Sequence, residues 1–504
     1  MLGRATPGLR SGARNPGALA LVLHSHMPYV EGFDTWPFGE EWLWEAAATV
    51  YLPLLERLER RAAPITVGLT PVLCDQLEAM SEGEAGDRFL RFLRDVRAEI
   101  HEDDEAGLRR GGLVELADEL RRAAGDYTSA SRAFEARGRD LIGGFGALEG
   151  VELWTSAATH ALLPLLATEP GLALQLATGT RSHERRFGSF GGGFWLPECA
   201  YVPGLEGGLA DQGVRAFCVD QTAAHGVLAP EHLRPVATGA GPVGVPIDWG
   251  TVELVWNDRA GYPVNPVYRD YHRRTTHDLR PWNNGGGPYR PDEARALARD
   301  HARDFVDRAR NRVRDGGLLC CALDTELLGH WWYEGLEWLT AVLEEAPARG
   351  LELVTVSEGL ERVEPVEREL LTSSWGRGKD LSTWDSPAVA ELVFSARRAE
   401  LSTLVGATNG VGRESLERAA RELLALQSSD WAFLVTRDLA ADYPLRRARG
   451  HEAGVREALE QGRSDGGHRD HERGPQARRD YSPRAGSALR NLAPDLDLAS
   501  ICAP

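Results

Sequence analysis

Cysteine is scarce in this chain and poorly placed for either bridges or metal. Cys74, Cys199, Cys218, Cys320, Cys321 and Cys502 are scattered over 504 residues with no C-x-x-C pair. That spacing excludes a disulfide-dense secreted scaffold and points to a reducing cytoplasm. Surplus positive charge is also missing. The formal net charge is −18, and without clustered Lys/Arg neither nucleic acid nor an anionic membrane is an expected partner. No apolar run approaches the roughly 20 residues of a membrane-spanning helix. The Arg-bearing N-terminus leads only into "ALALVL", read as a first core strand and not a secretory signal. No internal repeat is visible.

What is present is ample core material, 42% hydrophobic residues, and 14 tryptophans, several beside polar or acidic neighbours. Short apolar runs recur between helical stretches, at 18–26, 64–73, 151–160, 192–200, 214–220, 251–258, 317–326 and 351–360. Strands apolar on both faces and alternating with helices predict a parallel sheet, and seven or eight of them fit a β/α barrel. Polar residues cluster just after these runs: His24, His26, His160, Glu198, Asp258, Asp324 and Glu326. In such barrels the C-terminal strand ends form the reactive face.

Charged amphipathic periodicity over 84–150 predicts a helical insertion in a barrel spanning 1–361. Helical periodicity resumes over 362–504, with a polar, Gly- and Arg-rich stretch at 462–486 expected to be a disordered loop.

Glu198 closes the aromatic run "GGFWLPE", and Asp324 closes "LLCCALD". Carboxylates from two strands facing one cleft suit glycosidic bond cleavage, one attacking or stabilising the anomeric carbon and the other protonating the leaving oxygen. Glu326 shares a side of the extended chain with Asp324, and the spacing leaves open which of them points at substrate. His24 and His26 share a strand face, an arrangement that permits a metal. No third ligand is evident nearby, so hydrogen bonds to sugar hydroxyls are the preferred reading, and His160 and His330 are taken the same way. Trp256, Trp375 and Trp384 lie in segments poorly suited to a core, and are expected to be stacking platforms for sugar rings. Asp430 is read either as part of a helix N-terminus or as a substrate contact.

"LVLHSHMPYV", "TSAATHALLPLL", "GGFWLPECAY", "ALDTELLGHWWYEG", "SSWGRGKD" and "QSSDW", in this order, resemble glycoside hydrolase family 57. The nearest pattern is that of its 1,4-α-glucan branching enzymes of actinobacterial type. The resemblance implies a (β/α)7 barrel with a helical insertion and a C-terminal helical domain. It further implies Glu198 as nucleophile, Asp324 as general acid/base, His24 as a substrate contact, and Trp375 with Trp384 as paired glucan-guiding tryptophans. Trp256 would match a third such tryptophan, and Glu326 a supporting residue. No metal or other cofactor is implied. The expected reaction is retaining transfer on an α-1,4-glucan to form α-1,6 branches, with carboxyl groups about 5–5.5 Å apart. An α-amylase or 4-α-glucanotransferase of the same family, a metal-dependent polysaccharide deacetylase, and a non-catalytic glucan-binding protein are the alternatives. One departure stands out: the stretch 218–246 lacks the tyrosine that the branching enzymes carry on a mobile loop, and offers His225 in its place.

Overall fold

In the computed structural model, which describes residues 17–35, 38–466 and 489–502, "ALALVLHS" forms strand β1 (Ala18–Ser25), buried along its whole length. It pairs in parallel with β2 (Thr66–Leu69) on one side and β8 (Leu318–Asp324) on the other. The parallel series continues from β2 through β3 (Glu152–Ser156), β4 (Gly193–Trp195) and β5 (Ala216–Val219) to β7 (Val243–Pro246). A parallel bridge between Ile247 and Cys320 joins the end of β7 to β8. These seven strands make a (β/α)7 barrel, and their runs of apolar residues follow from burial on both faces. Three short strands decorate it. β9 (Glu352–Val354) pairs with the start of β1, β6 (Val236–Ala237) lies antiparallel to β7, and β10 (Val366–Glu367) lies parallel to β6. The sheet therefore reaches beyond residue 361, the expected edge of the barrel.

One expected strand is a helix. Residues Trp249–Trp256 are helical, with the Asp248 side chain accepting from the Thr251 N–H at 3.1 Å. "TVELVW" has the β-branched content of a strand, but an N-cap precedes it and the less conspicuous "VGVP" of β7 already fills the barrel position. Asp258 consequently lies in a turn after that helix and not at a strand end.

The insertion is helical as expected, its main elements being Gly83–Arg91, Arg97–Arg110 and Val114–Ala136. The C-terminal region consists chiefly of helices Ala390–Thr408, Arg413–Leu426, Asp430–Thr436 and Tyr443–Gly466. The last of these takes in residues 462–466 of the expected loop, and 467–486 lie outside the described residues. Arg447 fastens this region to the segment after β1. It donates to the Tyr29 carbonyl at 2.7 Å and to the Tyr443 hydroxyl at 2.6 Å, with its guanidinium 3.7 Å from the centre of the Phe33 ring. This anchor brings the start of helix Asp430–Thr436 to the barrel mouth. Among the described residues no helix is long and apolar enough to cross a membrane.

Candidate active site

β4 ends at Trp195, and Pro197 then turns the chain so that Glu198 and Cys199 adopt left-handed backbone conformations, φ 60° and 50°. After β3, His160 is left-handed as well, φ 58°. Such conformations cost roughly 1–3 kcal/mol each in non-glycine residues and persist only where surrounding bonds hold them. Here the C-terminal segments do the holding. The Trp375 N–H donates to the Glu198 carbonyl at 2.9 Å, and the Ser429 N–H to the His160 carbonyl at 3.1 Å.

The same two residues grip the Glu198 carboxylate. Trp375 Nε1 donates to Oε2 at 2.9 Å, and Ser429 Oγ donates to Oε1 at 2.8 Å. Burial raises the Glu198 pKa, and these two donors partly oppose the rise.

Asp324 ends β8 in register with His24 on β1, so both side chains leave the same face of the sheet. Among the described residues no donor reaches its carboxyl. Burial, then Glu326 and Glu198, push its pKa well above the carboxylate range. Burial acts upward on both carboxyls, but their neighbours differ: the donors to Glu198 oppose the rise, whereas the acids beside Asp324 add to it. Glu326 is turned aside. It accepts from the Tyr51 hydroxyl and from the His26 N–H, and burial raises its pKa to about 7. Of the two acids whose spacing left their roles open, Glu326 is thus engaged by two donors, while Asp324 accepts from none of the described residues.

The three histidines form one stack. His26 lies over His160 with ring centres 4.0 Å apart, and His24 lies on Trp195 at 4.4 Å. His24 Nε2 is 3.0 Å from His160 Nε2, and His160 Nδ1 is 2.9 Å from Ser429 Oγ. His26 reaches Thr70 through Nδ1 at 3.1 Å and Asp430 through Nε2 at 2.9 Å. Only His24 Nδ1 is without a partner, and it is buried. Apart from His24 Nδ1, the ring nitrogens expected to meet sugar hydroxyls are paired with one another and with protein groups. Burial lowers the His24 and His160 pKa values. At His26 burial also acts downward, but Asp430, Glu198 and Glu326 together outweigh it and the net shift is upward. Burial would raise Asp430, yet His26 brings it down to about 2. His26, His160 and Asp430 have ligand-type atoms within 4.8 Å of one another.

The remaining expected residues divide. Trp375 is half-buried, edge-on to Trp195 at 5.0 Å, and its polar edge is committed to Glu198. Trp384 is a correction. It is 1% exposed and packs against Leu162, Ala200, Val389 and Ala432, so it serves as core beneath the Glu198 turn. Trp256 is exposed, 5.9 Å from the equally open Trp331. His330 lines a separate cavity of about 320 Å³ with Tyr271, Arg280 and Trp331 against the helical insertion. Neither Glu198 nor Asp324 borders that cavity. His225 ends the helix Thr222–His225 with Nε2 buried and unpartnered. Sequence reasoning missed Ser429, Tyr51 and Thr70. "QSSDW" had marked the first as part of a motif, but its chemistry was assigned to the neighbouring Asp430.

Comparison with known proteins accords with this arrangement. The profile of "Glycosyl hydrolase family 57" matches residues 20–371, and that of "1,4-alpha-glucan branching enzyme, C-terminal" matches residues 394–471. A "probable 1,4-alpha-glucan branching enzyme" of Mycobacterium tuberculosis is 35% identical over 508 residues, covering 89% of this chain and 94% of that protein. The 1,4-alpha-glucan branching enzyme of Thermococcus kodakarensis is 34% identical, covering 86% of this chain and 71% of that one. The crystal structure of the branching enzyme from Pyrococcus horikoshii superposes with a TM-score of 0.86 at 29% identity, covering 96% of both chains. An alpha-amylase from Thermotoga maritima shares the fold, with a TM-score of 0.77 at 24% identity over 97% of this chain and 99% of that one. With a family profile running from β1 to beyond β10, this chain belongs to glycosyl hydrolase family 57.

Proposed function

We propose that this chain is a 1,4-α-glucan branching enzyme working by a retaining mechanism. The observation that carries the reading is the contrast between the two carboxyls: Glu198 held by two donors, and Asp324 left without donors beside two other acids. Similarity to branching enzymes along both the barrel and the C-terminal region supports the product.

Glu198 attacks the anomeric carbon of an α-1,4-linked unit while Asp324 gives its proton to the departing oxygen. The resulting glucosyl ester is opened by the 6-hydroxyl of a second glucan, whose proton returns to Asp324. The α-1,4 bond broken and the α-1,6 bond formed balance with no added reagent. No cofactor enters this chemistry. Its partner is an α-glucan, and the free state of all six cysteines fits a reducing cytoplasm. The lack of a tyrosine in 218–246 favours one competing outcome, transfer to water by the same two residues.

The test is incubation with amylose, followed by proton NMR for α-1,6 linkages and an assay for reducing ends. New α-1,6 signals in the wild type, absent from Glu198→Gln and Asp324→Asn, are expected. Shortened or redistributed α-1,4 chains alone would overturn branching in favour of hydrolysis or disproportionation.

A further inference from the structure

We infer that Ser429 is the positioning residue of the nucleophile, and that His160 and His24 exist to keep its hydroxyl pointed at Glu198. This rests on Glu198 being the nucleophile.

Four groups in a row, Glu198, Ser429, His160 and His24, share a limited number of protons. An ionised carboxylate only accepts, and a serine hydroxyl has one proton. Ser429 Oγ is 2.8 Å from Glu198 Oε1 and 2.9 Å from His160 Nδ1. With its proton given to Glu198, the serine must accept from His160, so His160 carries its hydrogen on Nδ1. A neutral imidazole has no second hydrogen, so His160 Nε2 is bare and accepts from His24 Nε2, 3.0 Å away. His24 Nδ1 is then bare, and it is the one ring nitrogen of the stack that is buried without a partner. A bare acceptor is the cheaper group to leave unpaired there, because orphaned N–H groups are rarer than under-satisfied acceptors.

The opposite direction fails at both ends. It would aim a serine lone pair at the carboxylate and bury an unpaired N–H on His24. Every hydrogen therefore finds its place only while Glu198 is ionised. Both histidines must be neutral for the chain to run, and burial lowers both, with His26 adding to the effect.

Trp375 differs in kind. Its indole N–H can only donate, so Oε2 keeps its donor throughout the reaction. The Ser429 hydroxyl is a rotor. Once Glu198 is esterified, Oε1 is a weaker acceptor, and the proton can turn to His160 Nδ1 if both histidines exchange tautomers. The device thus favours the charged nucleophile before attack and relaxes its hold on the ester. Because Ser429 also donates its backbone N–H to the His160 carbonyl at 3.1 Å, the serine is fixed to the residue its hydroxyl faces.

Ser429→Ala should lower kcat/KM on amylose about 10- to 100-fold, the usual consequence of losing a hydrogen bond to a charged group. The fall should appear in kcat, with KM little changed, and the acid limb of the pH profile should move to higher pH as Glu198 loses a donor to its ionised form. Ser429→Thr, which keeps the hydroxyl, should restore the limb. A merely structural serine would move thermal stability and leave the limb where it is. Nitrogen-15 chemical shifts of the wild type supply a second readout that needs no variant, and His160 should be the Nδ1–H tautomer. A Ser429→Ala enzyme within twofold of wild type with an unmoved acid limb, or His160 protonated on Nε2, overturns the inference. If Glu198→Gln itself retains full turnover, the proposed function fails. If Glu198→Gln is inactive while Ser429→Ala behaves as wild type, only the relay fails.

Discussion

The ends of β4 and β8 face one cleft and each presents a carboxyl, yet they are built on opposite plans. Glu198 sits on a strained turn, and C-terminal segments supply two side-chain donors and a backbone donor to it. Asp324 leaves a regular strand in unbroken register with β1 and is surrounded by acids instead of donors. Both are desolvated, so burial alone cannot separate their roles. The neighbours do: donors favour the ionised form at one end, and carboxylates favour the protonated form at the other. Strain is also unevenly placed: Glu198 has a left-handed backbone, while Asp324 stays on extended, unstrained backbone.

The strongest way to break this comparison is to neutralise the nucleophile. Glu198→Gln should reduce transfer on amylose by at least about 10⁴-fold, since removing a covalent catalyst leaves only binding and proximity; turnover above that level would mean the attack comes from elsewhere. Asp324→Asn should cost nearly as much on amylose but far less on a glucosyl donor with an acidic leaving group, which needs little protonation. Equal losses on both substrates would take the proton-donor role away from Asp324.

Replacing the fixed donor is milder. Trp375→Phe keeps the ring and removes Nε1, and kcat should fall about 10- to 100-fold with the acid limb moving up in pH. A pure rise in KM would make Trp375 a platform instead.

The other strand end is sharpened by pH. In the proposed mechanism Glu198 acts ionised and Asp324 protonated, so activity is lost as pH falls through the Glu198 pKa and lost again as pH rises through that of Asp324, burial acting upward on both. These limbs belong to the coupled pair. Burial is the larger cause at Asp324 and the Glu326 charge the next, so Glu326→Gln should move the alkaline limb downward while leaving maximal turnover within a few-fold. An upward movement would contradict the placement of Glu326.

Trp384 should matter least to catalysis and most to folding. Trp384→Ala should lose about 3–5 kcal/mol of stability by thermal or denaturant unfolding, with the KM of the folded fraction nearly unchanged. A glucan platform would show the reverse.

Much of this molecule was legible as a string of residues. Strands apolar on both faces and helices between them led to the barrel, with carboxylates at the strand ends, because burial and periodicity are local properties. The helix at Trp249–Trp256 was misread for the same reason: its apolar content is local, while the competition with "VGVP" for a place beside β8 is not. Trp375 and Trp384 looked alike in sequence, nine residues apart in one polar segment, and only packing separated a carboxylate donor from a core residue. Asp430 drew attention over Ser429 because a charge is conspicuous and a hydroxyl is not. The residue pattern was enough for the barrel and for carboxyl groups at its strand ends. The folded chain supplied which donors reach Glu198 and which histidines face one another, because hydrogen-bond partners 231 and 269 positions away along the chain leave no periodic trace.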